Sequence, residues 1–136
     1  MKLLVLTSEP VDAGTLRAAL PDDLDPAQAE VMVVAPALQD NPLKFWMSDA
    51  DEAIARSEEV RRRSLANLAD AGVPAAARRG DSDPAEAIRD ALQTFPAERI
   101  LLLTHEREAQ RYREDVDPEE LEELFGIPVQ RERVSA

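Results

Sequence analysis

Three short, unbroken apolar runs stand out along the chain, each bounded by polar residues or proline. They are Leu3-Leu4-Val5-Leu6, Val31-Met32-Val33-Val34 and Ile100-Leu101-Leu102-Leu103. Apolar runs of this length without alternation are typical of strands that are buried on both faces of a parallel sheet. Two weaker runs, Ala75 to Arg79 and Val129 to Val134, predict a third and a fifth strand near the margins of that sheet.

Capping residues and periodicity predict a helix after each of the first four strands. Asp followed by Glu three residues later, the spacing of a capping box, occurs at Asp49, Asp83 and Asp117. Proline follows two of these aspartates, at the first helical position, where its missing N–H has no cost. The predicted helices are Ala13 to Leu20, Asp49 to Ala71, the stretch from Asp83 to before Pro96, and Glu119 to Phe125.

Apolar residues at helical spacing indicate which helix faces meet the sheet. One stripe of the second helix contains Val60, Ser64, Leu68 and Ala71, and the last helix should turn three residues toward the sheet: Leu121, Leu124 and Phe125. Gly72-Val73-Pro74 supplies a left-handed stop for the second helix. The stripe of the third helix consists of Ala87, Ile88, Ala91, Leu92 and Phe95.

Strands that alternate with helices at this spacing predict a single α/β domain over residues 1–136. The expected architecture is a three-layer sandwich, in which a five-stranded, mostly parallel sheet carries helices on both faces in a Rossmann-like arrangement. Ligands of such sheets bind outside the carboxyl ends of the strands, where the strand order reverses. The segments of interest are therefore 7–10, 35–47, 80–83 and 104–113.

Composition narrows the possible partners. The 136 residues include 28 Asp and Glu against 16 Lys and Arg, a net charge of −12, one His and no Cys. This excludes a disulfide framework, a zinc-thiolate site and a cysteine nucleophile. The negative charge argues against nucleic acid as the main partner, since phosphates are bound largely by Lys and Arg. With no apolar run long enough for a bilayer, we expect no membrane partner and a cytoplasmic location.

Several segments resemble the universal stress protein family. Residues Gly80-Asp81-Ser82-Asp83-Pro84, followed by a helix and then by 100–105, resemble that family's third helix and fourth strand. Lys2 to Leu6 and Gly126 to Val129 look like its first and fifth strands. The resemblance implies an adenine nucleotide alpha hydrolase-like fold, a role in the stress response, and a homodimer formed through the fifth strand. The stretch from Leu43 to Ala53 resembles small bacterial domains of this kind.

The resemblance does not extend to the family's nucleotide site. Its ATP-binding members have an aspartate after the first strand and a Gly-x2-Gly-x9-Gly run after the fourth. Here the first loop reads Thr7-Ser8-Glu9-Pro10, and residues 104–125 contain no glycine, whose lack of a Cβ lets backbone N–H groups surround a phosphate. We therefore expect no bound cofactor and no ATP binding of the usual kind. The alternative is an ATP or AMP binder with a divergent phosphate loop.

Seven residues at the predicted carboxyl ends are the candidate ligand-binding residues. His105, the one histidine, could donate a hydrogen bond to a ligand or simply pack over the strand end, and Arg107 could bind a phosphate or belong to a solvated, self-paired surface. No nucleophile with a base is recognisable, so we expect a non-enzyme that acts through dimerisation or through a small ligand or protein. The seven residues are Thr7, Ser8, Glu9, Pro36, Thr104, His105 and Arg107.

Two further segments are conspicuous. Phe45-Trp46-Met47 is an aromatic segment that could line a pocket, meet a partner or fold back as a lid on the core. Residues 114–123 contain seven acids and no base but lack the spacing of a calcium loop, so they predict an acidic helix start favoured by the helix dipole. No metal site is expected from either segment.

Overall fold

A computed structural model describes residues 2–7, 9–19, 29–36, 50–80, 83–105 and 117–134, with the backbone alone for 19, 50–53, 104, 105, 133 and 134. Within these ranges five strands alternate with four helices. The elements are β1 (Lys2–Leu6), α1 (Ala13–Ala19), β2 (Glu30–Pro36), α2 (Ala50–Asp70), β3 (Ala75–Gly80), α3 (Pro84–Leu92), β4 (Arg99–His105), α4 (Pro118–Phe125) and β5 (Val129–Val134).

The five strands form one sheet in the order β3-β2-β1-β4-β5, and all four pairings are parallel. The predicted α/β fold is confirmed, and so is the placement of the two weaker strands, since β3 and β5 are the edges of the sheet. The three apolar runs form the three central strands, β1, β2 and β4. Their side chains are buried on both faces, as the absence of alternation predicts.

Alternate residues of the central strands face two separate cores, which defines the three layers. Leu3, Val5 and Leu101 pack with α1 and α2 on one face. Leu4 and Ile100 pack with α3 and α4 on the other face. Successive helices therefore change faces once, between α2 and α3, where the chain crosses from β3 at one edge to β4 beyond β1.

The helix ends follow the predicted capping chemistry. The Asp83 and Asp117 carboxylates accept hydrogen bonds from Ala85 N and Glu119 N, with proline at the start of each helix. Asp12 caps α1 by accepting from Thr15 N at 2.8 Å. Gly72, at φ 75°, ends α2 in a left-handed turn, closed by the bond from Val73 N to Leu68 O at 2.9 Å. Asp49 lies outside the described residues.

Two predicted core positions are wrong. Ala71 is exposed, because α2 ends at Asp70 and the turn carries Ala71 off the buried stripe that holds Val60, Ser64 and Leu68. Leu124 is 53% exposed, whereas Leu121 is 3% exposed. A helix of eight residues against a sheet edge buries only a narrow stripe, and Leu124 lies beside it.

None of the helices in the described ranges is both long and apolar enough to cross a bilayer.

Candidate functional site

The strand order reverses between β1 and β4, and this is where a ligand crevice is expected in an open α/β sheet. After β1 the chain passes to α1 on one face, since Val11 and Ala13 belong to that core. The connection after β4 leads to α4 on the opposite face, where Leu121 is buried. The helices that follow β1 and β4 therefore lie on opposite faces of the sheet, the arrangement that leaves a crevice at the carboxyl edge of such folds.

The carboxyl edge has a step at this point. Leu6 is level with Leu102 in the register of β1 and β4, so Thr7 is level with Leu103. β4 continues for two more residues, Thr104 and His105, and remains paired with β5 as far as Val134. At about 3.3 Å per residue, β4 and β5 project roughly 7 Å beyond the end of β1.

Thr7 holds the loop that leaves β1. Its N–H donates to Val34 O at 3.1 Å, which extends the pairing with β2 by one residue. Its hydroxyl donates to Glu9 O at 2.7 Å and accepts from Glu9 N at 3.2 Å. Since Thr7 is only 2% exposed, this hydroxyl serves the local turn. A ligand at the step would therefore contact the loop that Thr7 holds in place before it reached the buried Thr7 hydroxyl.

Helix α2 holds the same loop from the side through two polar side chains. Ser64, with 0% exposure, accepts a hydrogen bond from Val11 N at 3.0 Å. The Asn67 amide donates to Val11 O at 3.3 Å. Both backbone groups of Val11 are therefore bound by side chains more than fifty residues away in the sequence, which fixes the path of the chain between β1 and α1.

Ser57 does the same for the end of β2. It is 1% exposed, and its hydroxyl donates to Ala35 O, directly before the predicted site residue Pro36, which is itself buried at the last position of the strand. Ser57 and Ser64 are seven residues apart, two turns along one face of α2. Ser64 lies on the predicted buried stripe, but the hydrogen bonds of the two serines were not predicted. The available signal was a hydroxyl side chain within an otherwise apolar stripe.

The third strand end is built by close packing. A Cβ on Gly80 would lie 2.8 Å from Val34 Cγ1 and 2.9 Å from Ala87 Cβ, closer than real Cβ contacts allow. Only glycine fits where the carboxyl end of β3 meets α3. Arg79, the residue before it, forms an ion pair with Glu58 of α2 at 3.2 Å.

The structure brings together four of the seven predicted residues at one edge: Thr7, Pro36, Thr104 and His105 end three neighbouring strands. Glu9 lies two residues beyond Thr7 in the loop and is partly exposed. Ser8 and Arg107, the Phe45-Trp46-Met47 segment and the side chains of Thr104 and His105 lie outside the described part. In the described ranges, no group of three or more His, Asp or Glu side chains is arranged to hold a metal ion.

No protein-family model matches the chain, and no curated protein is similar to it at a significant level. The resemblance to universal stress proteins therefore stays a prediction.

Proposed function

We propose that this chain is a universal-stress-protein-like domain of the cytoplasm that binds a small ligand or a protein segment at the step between β1 and β4. The observation that carries the proposal is the reversal of strand order at that step, with the loop after β1 held by Thr7, Ser64 and Asn67. A loop fixed in this way needs little further ordering when a partner binds, which lowers the entropy lost on binding.

The described hydroxyls at this edge favour binding over covalent chemistry. Thr7 is engaged with the backbone of Glu9, and Ser57 with the carbonyl of Ala35. A nucleophilic hydroxyl needs a base within hydrogen-bond reach, whereas both of these donate to carbonyl oxygens. We therefore propose a binding domain and not an enzyme.

The sequence argues that the ligand is not ATP held in the manner of the universal stress proteins. Residues 104–125 contain no glycine, and the loop after β1 has Thr7 or Ser8 where those proteins have an aspartate. A thermal-shift titration with ATP and AMP, with and without Mg²⁺, should therefore give no shift at millimolar concentration. A nucleotide at a hundred times its Kd would stabilise by roughly 2.7 kcal/mol, which is readily detected.

The control for that titration is a pair of matched variants. A nucleotide-dependent rise that is lost in His105→Ala but kept in Asp90→Ala would contradict our proposal and favour the alternative of a divergent nucleotide site. Asp90 is exposed and lies near the C-terminal end of α3, away from the carboxyl edge.

The binding site itself is tested by amide chemical-shift mapping with a panel of small polar fragments. We expect the largest shifts at Glu9 in the loop after β1, at His105 at the end of β4, and at Ala35 near the end of the neighbouring strand β2. Fragment-induced shifts that cluster on β3 or α3 instead, or that are absent across the whole panel, would contradict the proposed site.

Self-association is the second part of the proposal. β5 is an edge strand, and the resemblance implies a dimer formed through it. Sedimentation at increasing concentration tests this point, because a protein that stays monomeric at about 100 μM has no dimer of tighter affinity.

A further inference from the structure

The sheet ends at β3 on one side and at β5 on the other, and none of the described strands pairs with the outer edge of either. The backbone N–H and C=O groups of an open edge are a template for a further strand, and proteins usually obstruct them. The two edges of this sheet differ in how far they are obstructed. We propose that β3 pairs antiparallel with β3 of a second copy, which joins the two sheets into one.

The hydrogen-bond register identifies the backbone groups of β3 that face outward. Val31 N–H donates to Pro74 O at 3.1 Å, and Val31 is level with Ala75. In a parallel ladder the groups of successive residues point alternately toward and away from the neighbouring strand. The N–H and C=O groups of Ala75, Ala77 and Arg79 therefore point away from β2. Within the described part of the chain, no strand takes up these groups.

The side chains of β3 leave this edge clear. Arg78 donates a hydrogen bond to Asp90 O of α3 at 3.3 Å. Arg79 pairs with Glu58 of α2 at 3.2 Å. The two charges that could guard the edge are therefore held over opposite faces of the sheet. The other side chains of the strand before Gly80 are alanines, and the strand has neither a proline nor a bulge to obstruct an added strand.

The opposite edge is partly closed by its own chain. By the same alternation, Val129 and Arg131 are outward-facing positions of β5. The Val129 N–H is already bound by the Glu122 carboxylate of α4, at 2.8 Å. The middle outward position of β5 is Arg131, whereas that of β3 is Ala77. A two-fold axis at the middle position would therefore place like charges opposite each other at β5 but not at β3.

A second copy fits the open edge because β3 is compatible with itself. With the two-fold axis at Ala77, Ala75 of one copy lies opposite Arg79 of the other. In the same register Ala76 lies opposite Arg78, so every arginine of β3 faces an alanine, and the outward N–H and C=O groups of the two strands meet each other. The strand contains no acid, so two copies of a chain with net charge −12 can approach here without opposed carboxylates. This pairing depends neither on the ligand site at β1 and β4 nor on a dimer through β5.

Ala76 tests the register, because it is exposed and lies outside both cores. The dimer contains the contact between Ala76 and Arg78 twice, so Ala76→Glu should tighten the dimer Kd roughly fivefold and Ala76→Arg should weaken it by a similar factor. Net charge alone predicts the opposite order, since glutamate adds to the excess of acid and arginine reduces it. Ala66→Glu and Ala66→Arg, at an exposed position of α2, measure that general effect. Sedimentation velocity from about 1 to 500 μM gives each Kd.

A pair of proline variants compares the two edges directly. Proline is tolerated at an outward position of an edge strand, because the N–H that it removes is not part of the ladder. Ala77→Pro should therefore weaken the dimer at least roughly tenfold, while circular dichroism still shows a folded protein. Arg131→Pro, the matched change on β5, should leave the dimer Kd unchanged.

Each other outcome overturns the proposal. A chain that stays monomeric to about 500 μM does not pair through β3 at any such affinity. A dimer that is lost in Arg131→Pro but kept in Ala77→Pro is formed through β5. Ala76 variants that follow the same order as the Ala66 variants show that Ala76 and Arg78 do not face each other. If Ala77→Pro does not fold, the Ala76 variants decide the question alone.

Discussion

The two faces of the sheet are held by different chemistry. Helix α3 covers its face with Ala87, Ile88 and Ala91, all at 1% exposure or less, and it approaches β3 so closely that only Gly80 fits. Helix α2 covers the other face with Leu68 and Val60 but also buries the hydroxyls of Ser57 and Ser64. Helix α3 buries no hydroxyl of this kind, so it contacts the sheet through apolar packing.

This difference indicates that α2 and α3 have different roles. The polar groups of α2 bind backbone atoms at Val11 and Ala35, the two chain segments that border the carboxyl edge near the strand reversal. A hydrogen bond to a fixed backbone atom is directional, whereas apolar contact is not. We infer that α3 mainly stabilises the fold, while α2 also sets the geometry of the candidate site.

The largest effect is expected at the centre of the apolar face. Ile88 is completely buried, and Ile88→Ala should lower the free energy of unfolding by about 2–5 kcal/mol through lost burial and the cavity that remains. Urea denaturation followed by circular dichroism measures the change. Amide exchange at Val11 should change only in step with global stability, because no hydrogen bond of the loop depends on α3. A selective loss of protection at Val11 would contradict the division between the faces.

Gly80→Ala should be the next most damaging change. The added Cβ would come within 3 Å of Val34 and Ala87, and since neither neighbour has a flexible end to move aside, α3 must shift away from the sheet. Overpacking of this kind costs about 1–3 kcal/mol.

Gly14→Ala is the matched control for this prediction. At Gly14 a Cβ would lie 3.4 Å from Asp12 Oδ1, an ordinary contact, and alanine favours the helix by roughly 0.5–1 kcal/mol over glycine. Thermal melts of the two variants should therefore move in opposite directions. Equal stability of both variants would show that the close approach at β3 is not rigid.

Ser64→Ala tests the polar contacts of α2. The substitution leaves the buried Val11 N–H without its acceptor, which costs about 1 kcal/mol or somewhat more. The loss should be local: hydrogen exchange at Val11 should accelerate more than the global stability change explains, and fragment-induced shifts at Glu9 should weaken. Ala66→Ser, an exposed change on the same helix, should affect neither readout. Uniform acceleration across the sheet would assign Ser64 to general packing.

Much of this fold was predictable because its signals are local. Unbroken apolar quartets identify the three central strands, and Asp-Pro pairs mark the starts of α3 and α4. Strand order was not predictable from such signals, because the sequence around Leu3 and around Ile100 does not indicate that their two strands become neighbours. The exposure of Leu124 was missed for a related reason: helical spacing cannot tell how wide a stripe the sheet beneath will cover.

The candidate site was predictable only as a location. Thr7, Pro36, Thr104 and His105 meet at one edge because parallel strands end together. The groups that shape this edge, Ser64 and Asn67, bind across more than fifty residues of sequence, and a serine within an apolar stripe does not indicate which backbone atom it will meet. Long-range hydrogen bonds depend on the assembled topology, so they follow from the fold and not from the motif.

The smallest effect on stability is expected on the outer flank of α2, where charged side chains are exposed to solvent. Arg79 and Glu58 form an ion pair with side chains 47% and 43% exposed, so Arg79→Ala should change the free energy of unfolding by less than about 0.5 kcal/mol. Urea denaturation followed by circular dichroism measures the change. A loss of stability as large as that of Ser64→Ala would show that Arg79 stabilises the fold as much as a buried side chain of α2 does. The outer flank of α2 would then not differ from its buried face.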